Sequence, residues 1–203
     1  VNIYLDDDLQ SNHNALTNIR LPKNVQISFA SAIGTGEEAN IYGGLDTGSC
    51  MSGFSVLHNS GALSTTTAGH CTSIQSYLGE TLNYLSATNS GSADIARLDP
   101  ASHVPINFFD VNGAAARVHN IKHRDEQMLN EVVCHMTTST SPASFICGSI
   151  IDKDYGPGAF NPTFIRVSSS GINLSEDGDS GSAWSSGNEA YGFHKGSVPS
   201  DPD

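Results

Sequence analysis

The chain reads as an all-β protein whose short strands close into a sandwich or a pair of barrels. Two observations carry that reading. From "IYGGL" (residues 41–45) onward, β-branched and aromatic runs follow one another, each bounded by Gly, Asn, Ser, Asp or Pro. Over the same stretch no apolar period of 3.6 residues lasts long enough for a helix.

Taken in order, the strand candidates are "GFSVLHN" (53–59), "ALSTTTAG" (62–69), "ADIARLD" (93–99), "ARVHNIK" (116–122) and "EVVCHMT" (131–137). They continue with "FICGSII" (145–151), "TFIRVSS" (163–169), "GSAWSS" (181–186) and "AYGFHKG" (190–196). "SSGNEA" between the last two reads as a hairpin turn. The N-terminus differs. "VNIYL" and "NVQISFA" read as strands, and Leu9, Leu16 and Ile19 share one helical face between them. "DDD" at 6–8 caps that helix, and Pro22 and Lys23 make the turn out of it. This β-α-β segment, residues 1–38, is expected to stand apart from a main domain over 39–203, with "IGTGEEAN" as connector.

The 203 residues carry 9 Lys and Arg against 21 Asp and Glu, a net charge of −12. A balance so acidic argues against nucleic acid or an anionic membrane as partner, since both need a basic face. No run of about 18 apolar residues is present to span a bilayer. The start lacks a secretory signal, so either the chain works in the cytosol or a signal has been removed. The cysteines favour the second. Cys50, Cys71, Cys134 and Cys147 allow three pairings, and local pairing as Cys50–Cys71 and Cys134–Cys147 is the favoured one. Each such bridge contributes about 3 kcal/mol by loop closure and implies a secreted protein. Four reduced cysteines in a core are the alternative.

"SEDGDSGSAW" (175–184) places Ser180 between glycines, directly after Asp179. A surface turn explains such composition. A nucleophile loop does too, with glycine freeing backbone N–H groups while a hydroxyl projects from the bend. A serine needs a base and that base an orienting carboxylate. His70 in "TTTAGHC" ends a strand beside Cys71, and Asp94 in "SADIARLD" starts an apolar one.

"TAGHC", "ADIARL" and "GDSGS" stand in the order His, Asp, Ser, and each resembles a motif of the chymotrypsin-like serine endopeptidases, the bacterial streptogrisin-like branch above all. "IYGGLDTGSCMSGFSV" resembles the opening strands of that branch and "VVCHMTTSTSPASFICGSI" its second disulfide hairpin, so the resemblance covers roughly residues 40–197. It implies two six-stranded antiparallel β-barrels, about 39–112 and 113–203, with the site between them. It implies Ser180 as nucleophile, His70 as proton shuttle, Asp94 as the orienting acid, and the N–H groups of Gly178 and Ser180 as oxyanion hole. Polypeptides are then the substrates, no cofactor or metal is expected, and a secreted monomer follows. Residues 1–38 resemble the tail of a propeptide.

Two departures qualify the resemblance. Ser182 stands where glycine is usual. Relatives continue past "SVPSDPD" with a strand that walls the specificity pocket and a C-terminal helix, so the chain is expected to be clipped or to close its second barrel differently. These departures leave one rival, a non-catalytic peptide- or surface-binding protein of the same fold. An α/β-hydrolase is opposed by Ser182 and by the residue order.

For specificity, "GFHKG" resembles the pocket strand of glutamyl endopeptidases, which implies His194 as a contact for a substrate carboxylate; the alternative is that His194 fills a strand position beneath a small or apolar pocket. Leu174 occupies the place of the trypsin-like aspartate, so cleavage after Lys or Arg is not expected; Glu176 nearby opposes an acidic preference if it enters the pocket. Of the remaining features, His119 and His123 lack the Glu and third ligand of a zinc site. Asn173-Leu174-Ser175 is a glycosylation sequon by pattern. Asp179 needs a cation or donors once buried, and Arg166 is one candidate.

Overall fold

A computed structural model describes residues 3–5, 27–29, 40–71, 74–138, 144–156 and 160–198. At the N-terminus β1 (Ile3–Leu5) and β2 (Ile27–Phe29) pair in parallel, with Ile3 opposite Ile27. The helix expected between them falls outside the described residues.

The next strands form the first of two groups. They are β3 (Asn40–Gly43), β4 (Val56–Leu57), β5 (Leu63–Thr67), β6 (Gln75–Tyr77), β7 (Glu80–Leu82), β8 (Tyr84–Ser90), β9 (Ala93–Leu98), β10 (Val104–Val111) and β11 (Ala114–Arg117). Rather than one continuous sheet they make three: β4-β5-β9-β8, β11-β10-β3 and the hairpin β6-β7. The second group comprises β12 (Asn120–Ile121), a 3-10 turn at Arg124–Glu126, β13 (Val132–Thr137), β14 (Ser144–Tyr155), β15 (Phe164–Ser168), β16 (Ala183–Ser186) and β17 (Glu189–Phe193). These strands do share one six-stranded sheet, in the order β12-β17-β16-β13-β14-β15. The described residues contain no α-helix, so the all-β expectation stands.

Two details differ from the sequence reading. "ARVHNIK" is not one strand: β11 stops at Arg117, and His119 N–H instead bonds the carbonyl of Asn188 in the β16–β17 turn. The pairing is not wholly antiparallel either, because β3 runs parallel to β10 and β12 parallel to β17.

The main hydrophobic cluster lies where the two groups meet. Phe54 and Phe109 from the first pack with Ala183, Ala190 and Phe193 from the second. The Phe54 ring stands 5.8 Å from Phe193 and edge-on to Phe109 at 6.4 Å. Tilted and edge-on aromatic pairs of this kind contribute beyond their buried area. A separate cluster of Ile41, Leu82 and Leu98 fills the first group. Because β9 alternates, Asp94 points inward on the same face as Ala96 and Leu98. That alternation buries the carboxylate.

Candidate functional site

Three segments converge between the two groups. The first ends β5, where Thr66 Oγ1 donates to the Phe54 carbonyl at 2.7 Å and Thr67 Oγ1 to that of Met51 at 2.8 Å. These bonds satisfy the buried hydroxyls of Thr66 and Thr67, the last two of four consecutive buried positions, Ser64 to Thr67. The chain then turns through Gly69, where an added Cβ would lie 2.1 Å from the Thr88 carbonyl oxygen, so only glycine fits. His70 follows, and Cys71 is bridged to Cys50. The second bridge joins Cys134 to Cys147 across β13 and β14, and no cysteine is free.

Asp94 comes from the second segment, β9, and its side chain is fully buried. The carboxylate accepts twice from His70: Oδ1 from the backbone N–H at 2.9 Å, and Oδ2 from Nδ1 at 2.7 Å. Nδ1 therefore carries the proton and Nε2 is left as an acceptor. Ser180 Oγ lies 2.8 Å from that Nε2 and also 3.3 Å from the Lys195 carbonyl. His70 remains 34% exposed on its side chain, open to an incoming molecule.

The third segment, 175–181, is a tight loop. Gly181 has φ 91°. A Cβ there would sit 2.3 Å from Thr67 Oγ1 and 2.4 Å from the Met51 carbonyl, so the glycine lets this loop press against the end of β5. Gly178 is also left-handed, at φ 103°. Among the described residues, no acceptor takes the N–H of Gly178 or of Ser180. Ser182, the departure from glycine, is buried and donates its hydroxyl to the Met136 carbonyl at 2.8 Å. It is a seated core residue.

Asp179 is held by donors, and Arg166 is not its partner. Its carboxylate accepts from Thr137 Oγ1 (2.5 Å), Thr138 N–H (2.7 Å) and Oγ1 (2.8 Å), and Glu176 N–H (2.9 Å). Burial pushes this carboxyl up, but the four donors more than reverse that and hold it below the ordinary range. Arg166 instead lies over the Tyr155 ring.

At the Asp94 end of this chain of groups, a cavity of about 1040 Å³ is lined by Asp94, Leu174, Ser175, Trp184, His194 and Lys195, among others. His194 is buried, with Nε2 2.7 Å from Ser175 Oγ. Its ring stacks on His135 at 5.0 Å, and His135 in turn lies 4.0 Å from Trp184 and bonds the Leu174 carbonyl. Burial, then the neighbouring His135, pushes His194 down to about 3. His194 is thus a neutral imidazole, and a protonated one is not what this pocket holds. Glu176 is exposed, takes a hydrogen bond from Asn173 Nδ2, and does not line the cavity. His119 and His123 are exposed, and no metal-binding cluster occurs among the described residues. Sequence reasoning passed over His135, Ser175 and Lys195. His135 lies in "EVVCHMT", Ser175 opens "SEDGDSGSAW" and Lys195 lies in "GFHKG", but those stretches assign them no role, and only the fold brings them together.

Solved structures show what this arrangement is similar to. A Nocardiopsis protease matches with a TM-score of 0.59 and 26% identity, covering 76% of this chain and 83% of that one. Thermobifida fusca protease A matches at 0.59 and 25%, covering 78% and 84%. Cellulomonas bogoriensis chymotrypsin gives 0.59 and 22%, covering 77% and 83%. The chain has the chymotrypsin-like serine protease fold. No family model and no curated protein sequence matches it.

Proposed function

We propose that the protein is a secreted serine endopeptidase in which Ser180 attacks a peptide carbonyl and His70 moves the proton. One observation carries this reading: the unbroken chain from Asp94 Oδ2 through His70 to Ser180 Oγ, at 2.7 and 2.8 Å, in a protease fold. Ser180 gives its proton to Nε2 as Oγ forms a bond to the carbonyl carbon. The resulting imidazolium is stabilised by the carboxylate and then protonates the leaving amine. Water repeats the cycle to release the acyl group. The N–H groups of Gly178 and Ser180 serve the oxyanion. We read the two sheet groups as two barrels with the site between them, and the two disulfides as the mark of an oxidising compartment. A fluorophosphonate is expected to label native Ser180 and to fail on Ser180→Ala and His70→Ala. Labelling only after denaturation, or at another serine, overturns the proposal.

The proposed preference is cleavage after Glu. A neutral His194 supports it by orienting Ser175. When Nε2–H donates to Ser175 Oγ, the serine hydroxyl is free to donate outward to a carboxylate. A charge-assisted bond of this kind contributes about 1.5–3 kcal/mol. Exposed Glu176 is engaged with Asn173, which removes its objection. A peptide library should show cleavage after Glu, and His194→Ala should reduce it about tenfold relative to cleavage after Leu. Dominant cleavage after Leu, Phe or Ala by the unaltered protein overturns the preference.

A further inference from the structure

Lys195 has no part in the mechanism above, yet it touches both ends of the reacting chain. Its ammonium lies 3.2 Å from Asp94 Oδ2, the oxygen that also accepts from His70 Nδ1 at 2.7 Å. Its carbonyl accepts from Ser180 Oγ at 3.3 Å. Nζ also sits 4.5 Å from the centre of the Phe160 ring, which stands edge-on to Phe164 at 5.1 Å. The lysine side chain is only 28% exposed and the Asp94 side chain is wholly buried. This is an engaged cation rather than a solvated one.

Two consequences follow from that placement. A buried carboxylate costs free energy unless paired, and Lys195 gives Asp94 a charged partner in addition to the two His70 donors. The ammonium and the imidazole also share one oxygen, so Nζ and Nδ1 are at most about 6 Å apart, the range in which like charges oppose each other. A proton arriving on His70 therefore meets a cation already in place. The other titratable neighbour is His194 at the end of β17, and it is neutral. Arg124 and Arg166 line the same cavity, but Arg124 is paired with Asp154 and Arg166 lies on Tyr155.

We propose that Lys195 is a positioning residue for the Asp94–His70 pair, compensating the buried carboxylate and extending activity further into the acid range than the carboxylate alone would. The proposal rests on the endopeptidase reading. It is tested by kcat/KM against pH for the unaltered protein, Lys195→Met and Lys195→Arg. Lys195→Met should move the acid limb up by about one pH unit, an approximately tenfold loss of relative activity well below the limb, while Lys195→Arg keeps it in place. Lys195→Gln is the second neutral variant if Lys195→Met does not fold. An unmoved limb, or the same shift in Lys195→Arg, overturns the proposal; a purely structural lysine would lower the plateau or the Tm and leave the limb alone. If the unaltered protein is inert at every pH, it is the endopeptidase reading that fails. NMR titration of the His70 ring in Ser180→Ala, with and without Lys195→Met, then decides the lysine's role. A ring that titrates at the same pH in both overturns it.

Discussion

Asp94 and Asp179 are both buried carboxylates in contact with the segments that meet at Ser180, and they are satisfied by different chemistry. Asp94, on β9 of the first group, faces a histidine and a lysine. Asp179, beside Ser180 in the second group, faces two threonines and two backbone N–H groups. Neutral donors have one protonation state and simply fix a loop. Ionisable partners let a carboxylate respond to a proton that moves during reaction. In the proposed mechanism the same side chain therefore takes part in the chemistry in one place and belongs to the scaffold in the other.

Exchanging each acid for its amide or for alanine should separate the two roles. Asp94→Asn is expected to lower turnover by about 10⁴, through the wrong His70 tautomer, with Tm little changed. Comparable losses of Tm and activity would make Asp94 a scaffold residue and erase the contrast. Asp179→Ala leaves its former donors without an acceptor and should cost about 3 kcal/mol, roughly 10 °C in Tm. Because the Asp179 carboxyl is held low, its stabilisation is complete above its ordinary value near 3.8 and is lost as pH falls below it. Thermal melts that are unchanged in Asp179→Ala would refute the structural role.

A further contrast, read through the pH dependence of stability, concerns the histidines. His194 stays neutral down to about 3 when folded, whereas the unfolded chain takes up its proton below 6.5. The unfolded state then binds more protons, so stability falls as pH drops from 6.5 towards 3, by up to about 1.4 kcal/mol per unit. His135, also pushed down by burial, adds in the same direction. His194→Gln should flatten the dependence of Tm on pH in that window. An unaltered slope would mean that His194 is solvated and free to protonate, which erases its contrast with solvent-facing His70.

How much of this was readable beforehand differs from element to element. β9 was legible because "ADIARLD" is an apolar run bounded by turn residues, which also suggested partial burial of Asp94; the alternation of its burial appears only in the structure. β8, "YLSATNS", carried no such signal: every residue in it is exposed, and it is a strand only because its backbone pairs with β9. The disulfides followed from spacing, since Cys134 and Cys147 face each other across β13 and β14. The partners of Asp179 did not, because Thr137 and Thr138 lie about forty residues upstream, in a hairpin stretch that nothing local links to Asp179.

By itself, then, the sequence pointed to the class of fold, to a favoured cysteine pairing and, through family resemblance, to His70, Asp94 and Ser180 as candidates, because each signal lies in local pattern: period, spacing, or a short run of small residues around one reactive group. Tertiary structure alone decided the environments. It put His194 in a buried stack with His135 and so made it neutral, it satisfied Asp179 without a cation, and it laid the Lys195 ammonium on Asp94. Charge state and hydrogen bonding depend on which atoms are within a few ångströms and how much water is excluded, and neither quantity is a property of neighbouring positions along a chain.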